Sequence, residues 1–256
     1  MIKTVFQTIG ITLLVGYLLI AGVIYGFWRE EPRYRGIKID ISYPNDDAHF
    51  VTEANILHLL DSKPGFKYKG KLYREVNTLE LAKYIEENNR LVRSVSCYHT
   101  PDSMLRIDIE QRNPVLRVKS ELNVKDEHGK AMLDFYVDDA SMMMPAQFGS
   151  ASICLPLVTG YVTPNLIEPL CDFAGFLKSN DFWADNITQI NICRNGDVEL
   201  VPRIGSHVIL LGSLDDYEHK LKRVRKFYEK VLPQKGWNAY RTINVKFNGQ
   251  VVGEKK

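Results

Sequence analysis

The sequence predicts an α+β protein: one N-terminal transmembrane helix, a small βααββ unit, and a mixed β-rich unit with two helices. Three observations predict it. No charged residue stands between Lys3 and Arg29. Between Gly36 and Arg112, five periodic segments read strand, helix, helix, strand, strand. From Val115 onward, short β-type runs separated by turn residues dominate, interrupted by two helical patterns.

The apolar run Thr4–Trp28 is longer than the roughly 20 residues that cross a bilayer. Eleven Leu, Ile, Val or Phe residues lie from Ile9 to Phe27. At about −0.5 kcal/mol each they favour insertion by roughly 5 kcal/mol, opposed only by Thr12. A cleaved signal peptide has a shorter apolar region of about 7–15 residues and a small-x-small cleavage site. This run closes instead on Tyr25, Phe27 and Trp28, an aromatic belt, so an uncleaved anchor is expected over residues 5–28. Residues 1–4 form a short terminus on one side and residues 29–35 a linker on the other. Arg29, Arg33 and Arg35 outnumber Lys3, and by charge alone the N-terminus would lie outside.

Residues 36–113 form the first predicted unit. Gly36–Ser42 alternates, with Ile37, Ile39 and Ile41 on one face. Thr52 can cap a helix running to about Asp61, stapled by Val51 and Ile56. Asn77 can cap a second, with Val76 and Leu81 in the same staple geometry and an apolar stripe through Tyr84 and Ile85 to about Asn88. Val92–Tyr98 and Met104–Arg112 are strands joined by a turn at Thr100–Ser103.

Residues 114–253 form the second, followed by a tail at 254–256. Pro164 opens a helix to about Ser179. Ile187–Cys193 and Val198–Val201 pair around Asn195-Gly196-Asp197. Asp215–Leu232 is the clearest helix, capped by Ser213, with Tyr217, Leu221, Val224 and Val231 on its apolar face. Its other faces carry Lys220, Lys222, Arg223, Arg225 and Lys226, a solvated face or a partner site. The chain finishes in a strand over Thr242–Val252, or in a terminal hairpin with a type I′ turn at Asn248-Gly249.

Composition narrows the function. With Lys3 the only charge ahead of Arg29, the remaining chain is almost neutral, which argues against a nucleic-acid protein. Cys97, Cys154, Cys171 and Cys193 form no C-x-x-C pair and sit in apolar contexts, as buried small hydrophobes do. Cys97 and His99 share a strand face, but catalysis would also need a groove and an orienting group. Asp46-Asp47 and Asp138-Asp139 read as loop and turn acids, since adjacent carboxylates on a strand point to opposite faces. Phosphate loops and hydrolase motifs are absent from the sequence, and no cofactor is expected.

The order of elements after one membrane helix resembles a POTRA domain. The stretch LVRSVSCYHTPDSMLRIDIEQRNPV is similar to the hairpin of the cell-division family FtsQ/DivIB, with Gln111-Arg112-Asn113-Pro114-Val115 at the family's E-R-x-P-V. Asp134–Ala140 resembles its Y-[IV]-D-x-x-G strand and turn, with Ala140 in place of the Gly, so a turn with positive φ is not expected there. Leu155–Gly160 resembles its L-P-x-V-x-G. Thr242–Phe247 resembles its terminal strand, with Asn244, Lys246 and Phe247 at the acid, Arg and aromatic positions.

The resemblance implies a bitopic scaffold and no enzyme, in the cytoplasmic membrane at the septum, with Met1–Lys3 inside and Arg29–Lys256 outside. It implies FtsB-like and FtsL-like partners, with FtsK-like and other divisome proteins as further candidates, lipid contacts through residues 5–28, and no nucleic-acid or small-molecule ligand. A late strand around Lys246–Val252 is expected to accept a partner strand, with Lys246, Phe247, Gly249, Val251 and Val252 in contact and Arg223 and Lys226 meeting partner acids. Two alternatives stay open: a membrane-anchored extracytoplasmic enzyme, and a POTRA-type subunit of a polypeptide transporter.

Overall fold

A computed structural model describes residues 2–28, 32–44, 49–146 and 155–256, with side chains of the first helix described from Gly10 to Ile24. Asp46, Asp47, Cys154 and the side chains of Tyr25, Phe27 and Trp28 lie outside the described residues. Helix α1 (Ile2–Trp28) is continuous. Its described large apolar side chains are exposed on every side, Leu13, Tyr17 and Leu19 among them. Among the described residues no helix is long and apolar enough to cross a membrane. The described side chains of α1 end at Ile24, so they cover less than the roughly 20 residues a span requires.

The first unit is β1 (Gly36–Ser42), α2 (Glu53–Ser62), α3 (Thr78–Asn88), β2 (Val92–His99) and β3 (Met104–Gln111), the expected order. The local signals act as read. Thr52 Oγ1 accepts from Asn55 N at 3.3 Å, and Asn77 Oδ1 accepts from Glu80 N at 3.1 Å. The staple residues Val51, Ile56, Val76 and Leu81 are all buried. β3 is central, parallel to β1 and antiparallel to β2, with Ile39 and Cys97 flanking Ile107. Leu105, Ile107 and Ile109 point into the core beneath the helices. Ser103, at φ 68°, turns the chain between β2 and β3.

The second unit is one nine-stranded sheet. Its strands are β4 (Pro114–Lys125), β5 (Ala131–Asp138), β6 (Met143–Pro145), β7 (Leu157–Gly160), β8 (Ile187–Ile192), β9 (Val198–Pro202), β10 (Val208–Gly212), β11 (Tyr240–Asn244) and β12 (Val252–Lys255). They lie in the order β12-β11-β10-β9-β8-β7-β4-β5-β6. α4 (Ile167–Ser179) links the parallel pair β7 and β8. α5 (Tyr217–Lys230) and the short α6 (Leu232–Lys235) link the parallel pair β10 and β11. The rings of Phe173 and Tyr217, 5.0 Å apart, join α4 to α5 over a shared core.

Several expectations change. β4 is a long strand where short ones were expected. The left-handed residue after β5 is Ser141 (φ 62°), as Ala140 did not promise one. Ser213 does not cap α5. The N-cap is Asp216 in a left-handed conformation, and Ser213 instead accepts from Lys220 Nζ through its carbonyl at 2.8 Å and its hydroxyl at 3.3 Å. Lys220 is therefore buried rather than part of a solvated basic face, and burial lowers its pKa. Gly160 (φ 93°) has no substitute: a Cβ there would lie 2.2 Å from the Ile192 carbonyl oxygen.

The two units pack on each other. Arg112 donates to Asp138 at 2.9 Å, and that carboxylate is fully buried. Its other oxygen accepts from Ala140 N and Met142 N, which closes the turn after β5. Arg93 pairs with Asp139 at 2.8 Å, and Arg90 pairs with Asp126. Tyr136 and Met144 from the second unit complete the core of the first. Gln111, buried, accepts through Oε1 from Phe50 N and Val51 N, which pins the approach to α2 without burying a charge.

Candidate partner-binding edge

The chain ends at one margin of the large sheet. β11 is hydrogen-bonded to β10 on one side and to β12 on the other, and among the described residues β12 has no strand on its outer side. An unpaired margin offers a row of N–H and C=O groups to an incoming strand.

The expected continuous strand Thr242–Val252 is broken. Ile243 and Val245 are buried as the alternation requires, and Val245 N still donates to Leu210 O at 3.0 Å. Beyond that the chain lifts away. The Asn244 side chain accepts from Lys246 N at 3.0 Å, a local bond that competes with the ladder. Arg223 on α5 reaches across and donates to the carbonyls of Val245 (2.9 Å) and Phe247 (2.8 Å). Gly249 then takes φ 77°. Asn248 has no positive φ, so the turn is not the type I′ expected of Asn-Gly. The edge strand is Val252–Lys255 rather than Lys246–Val252, and Glu254 and Lys255, read as tail, belong to it.

The structure gathers most of the predicted site residues at this corner. Phe247 is 54% exposed and Val252 is 48% exposed. Phe247 is thus no core residue. Val251 is half-buried against the main core, and Gly249 is exposed in the loop. Lys246 Nζ lies 2.5 Å from Asp197 on the β8–β9 turn, and the ammonium holds that carboxyl below its ordinary pKa. Arg223 is engaged by carbonyls, so its first role is to hold the loop. Lys226 is exposed on α5, with no carboxylate partner among the described residues.

Sequence reading missed how β12 is seated. A Cβ on Gly253 would lie 2.7 Å from the Tyr240 ring, and that ring packs on Phe227 at 5.2 Å. The available signal was Gly253, the small residue a strand needs where a ring crosses it. Nearby, buried His207 Nε2 lies 2.6 Å from the Tyr228 hydroxyl under β10, and burial lowers the His207 pKa. The three described cysteines form no disulfide. Cys97, Cys171 and Cys193 are free, and burial pushes the thiols of Cys97 and Cys171 up to about 12 and about 11.

A family model described as FtsQ/DivIB, C-terminal related matches residues 113–254. A model described as POTRA-like domain matches residues 35–110. No curated protein matches the chain.

Proposed function

This chain belongs to the FtsQ/DivIB, C-terminal related family, and on that premise we propose that it is a bitopic scaffold of the bacterial division machinery. It recruits FtsB-like and FtsL-like partners and links early to late septum-assembly proteins. Residues 5–28 anchor it in the cytoplasmic membrane at the septum, N-terminus inside, with the two folded units outside. A helix whose described large apolar side chains, from Ile11 to Ile24, are exposed supports that anchor.

The observation that carries the reading is the free margin of β12 beside an exposed aromatic. A partner strand added there gains main-chain hydrogen bonds, and its alternate side chains meet Phe247 and Val252. Phe247 is the anchor of the interface because exposed aromatics that become buried dominate such contacts. Lys226 remains available to a partner carboxylate.

The test uses the full chain in nanodiscs and the extracytoplasmic segment of an FtsB-like partner. Phe247→Ala is expected to weaken binding by about 2 kcal/mol, roughly thirtyfold, with the melting temperature unchanged. Removal of residues 252–256 is expected to abolish binding. Undiminished affinity in a folded chain lacking those residues overturns the reading. Depletion in the host is expected to give filaments without septa, and normal septation would return weight to an enzyme or transport role.

A further inference from the structure

The apolar helix is followed by Arg33 and Arg35, and a distant loop carries Lys67, Lys69 and Lys71. The fold stitches the two segments together. Tyr34 N donates to Lys71 O (2.9 Å), Gly70 N to Tyr34 O (2.8 Å) and Tyr73 N to Pro32 O (3.2 Å), while Arg33 Nη1 donates to Gly70 O (2.9 Å). Tyr34 is buried against Tyr73, ring centroids 4.6 Å apart, which nails the strap to the first core. From this arrangement we infer that Arg33, Arg35, Lys67, Lys69 and Lys71 form a docking surface for anionic phospholipid headgroups, which holds the three-stranded unit against the membrane that α1 enters.

Charge accounting supports it. Elsewhere in the unit several cations meet carboxylates, Lys63 with Glu80 (3.1 Å), Arg93 with Asp139 (2.8 Å) and Arg106 with Asp40 (2.6 Å), while Lys38 stands alone among the described residues. The five cations at the strap have no carboxylate partner among the described residues, and all are exposed except half-buried Lys71. Glu75, the acid within that loop, keeps its charge but accepts from Leu72 N at 2.8 Å and forms no ion pair with any of the five. Glu30 and Glu31 lie outside the described residues and offset part of the surplus in sequence.

Chain length supplies the location. Arg33 follows Trp28 by five residues, at most about 18 Å of extended chain. With α1 in a bilayer, the patch is tethered within reach of the headgroups, where charge acts over roughly 8 Å. Arg33, Arg35 and Lys69 line a half-open cleft, with Lys67 and Lys71 outside it, and a spread of cations over two segments suits a charged surface better than one small anion. The inference rests on α1 being the anchor.

The test compares amide hydrogen exchange of residues 67–74 in the full chain, held in nanodiscs of phosphatidylcholine alone or with about a third phosphatidylglycerol. Exchange is expected to slow about fivefold or more with the anionic lipid. The difference should vanish in high salt and in K67Q/K69Q/K71Q, whose main-chain strap bonds are kept and whose melting should match the parent. Equal exchange in both lipids overturns the inference, as does equal protection by inorganic phosphate in neutral discs. Failure to float with neutral vesicles would sink the anchor and this inference together, whereas flotation with lipid-independent exchange sinks the docking surface alone.

Discussion

The junction between the two units and the C-terminal margin use the same residue types to opposite ends. At the junction, Arg112 meets a fully buried Asp138 whose other oxygen is occupied by two backbone N–H groups. The carboxylate is closed off from solvent although the guanidinium keeps 19% exposure, so the pair favours one domain arrangement. At the margin, Lys246 meets Asp197 with both side chains about a third exposed, and the β12 backbone is left open on one side. Burial with saturated hydrogen bonding makes a rigid joint. The same charges in solvent cost little to rearrange, which is what a surface needs if it is to accept another chain.

That contrast can be broken in four ways. The largest effect is expected at the joint. Arg112→Met leaves a buried carboxylate without its cation and should destabilise the protein by about 3–5 kcal/mol in chemical denaturation; a loss below 1 kcal/mol would mean that the joint is solvated. Next comes the Phe247→Ala loss of partner affinity at constant melting temperature. A drop of several degrees in melting would instead place Phe247 in the core, against its exposure.

Third, His207 is buried with its folded pKa lowered, so the unfolded chain binds the proton more readily. Stability is then full above the unfolded value of about 6.5 and declines as pH falls through it toward the folded pKa. Melting measured from pH 7.5 down to pH 5 should show that slope, and His207→Gln should flatten it. The smallest effect is expected for Lys246→Ala, an exposed pair worth less than about 1 kcal/mol. A larger loss would make the corner a second rigid joint.

The first unit was almost fully legible, because its signals are local. A cap bonds a backbone group three residues on, as Thr52 and Asn77 do, and a staple joins residues five apart. The POTRA-like order followed directly. The candidate margin was legible only in outline. Residues Lys246 to Val252 alternate plausibly as a strand, but the bonds that lift them away come from Arg223, more than twenty residues distant. Lys220 read as a solvated cation because its acceptors at Ser213 precede the helix in a turn that sequence cannot draw. The dependence of the first core on Tyr136 and Met144 of the second unit leaves no local signal either.

By itself the sequence determined the apolar helix, the βααββ order, the family and a division-related role, since each is written in composition, short-range periodicity or motif order. Only the tertiary structure decided that β12 is the open margin, that Arg223 holds a loop, that Asp138 is buried under Arg112, and that the Lys67–Lys71 loop joins the segment of Arg33 and Arg35. Those facts depend on which distant backbone groups satisfy one another, and a hydrogen bond between residues 34 and 71 leaves no periodic trace in the chain that makes it.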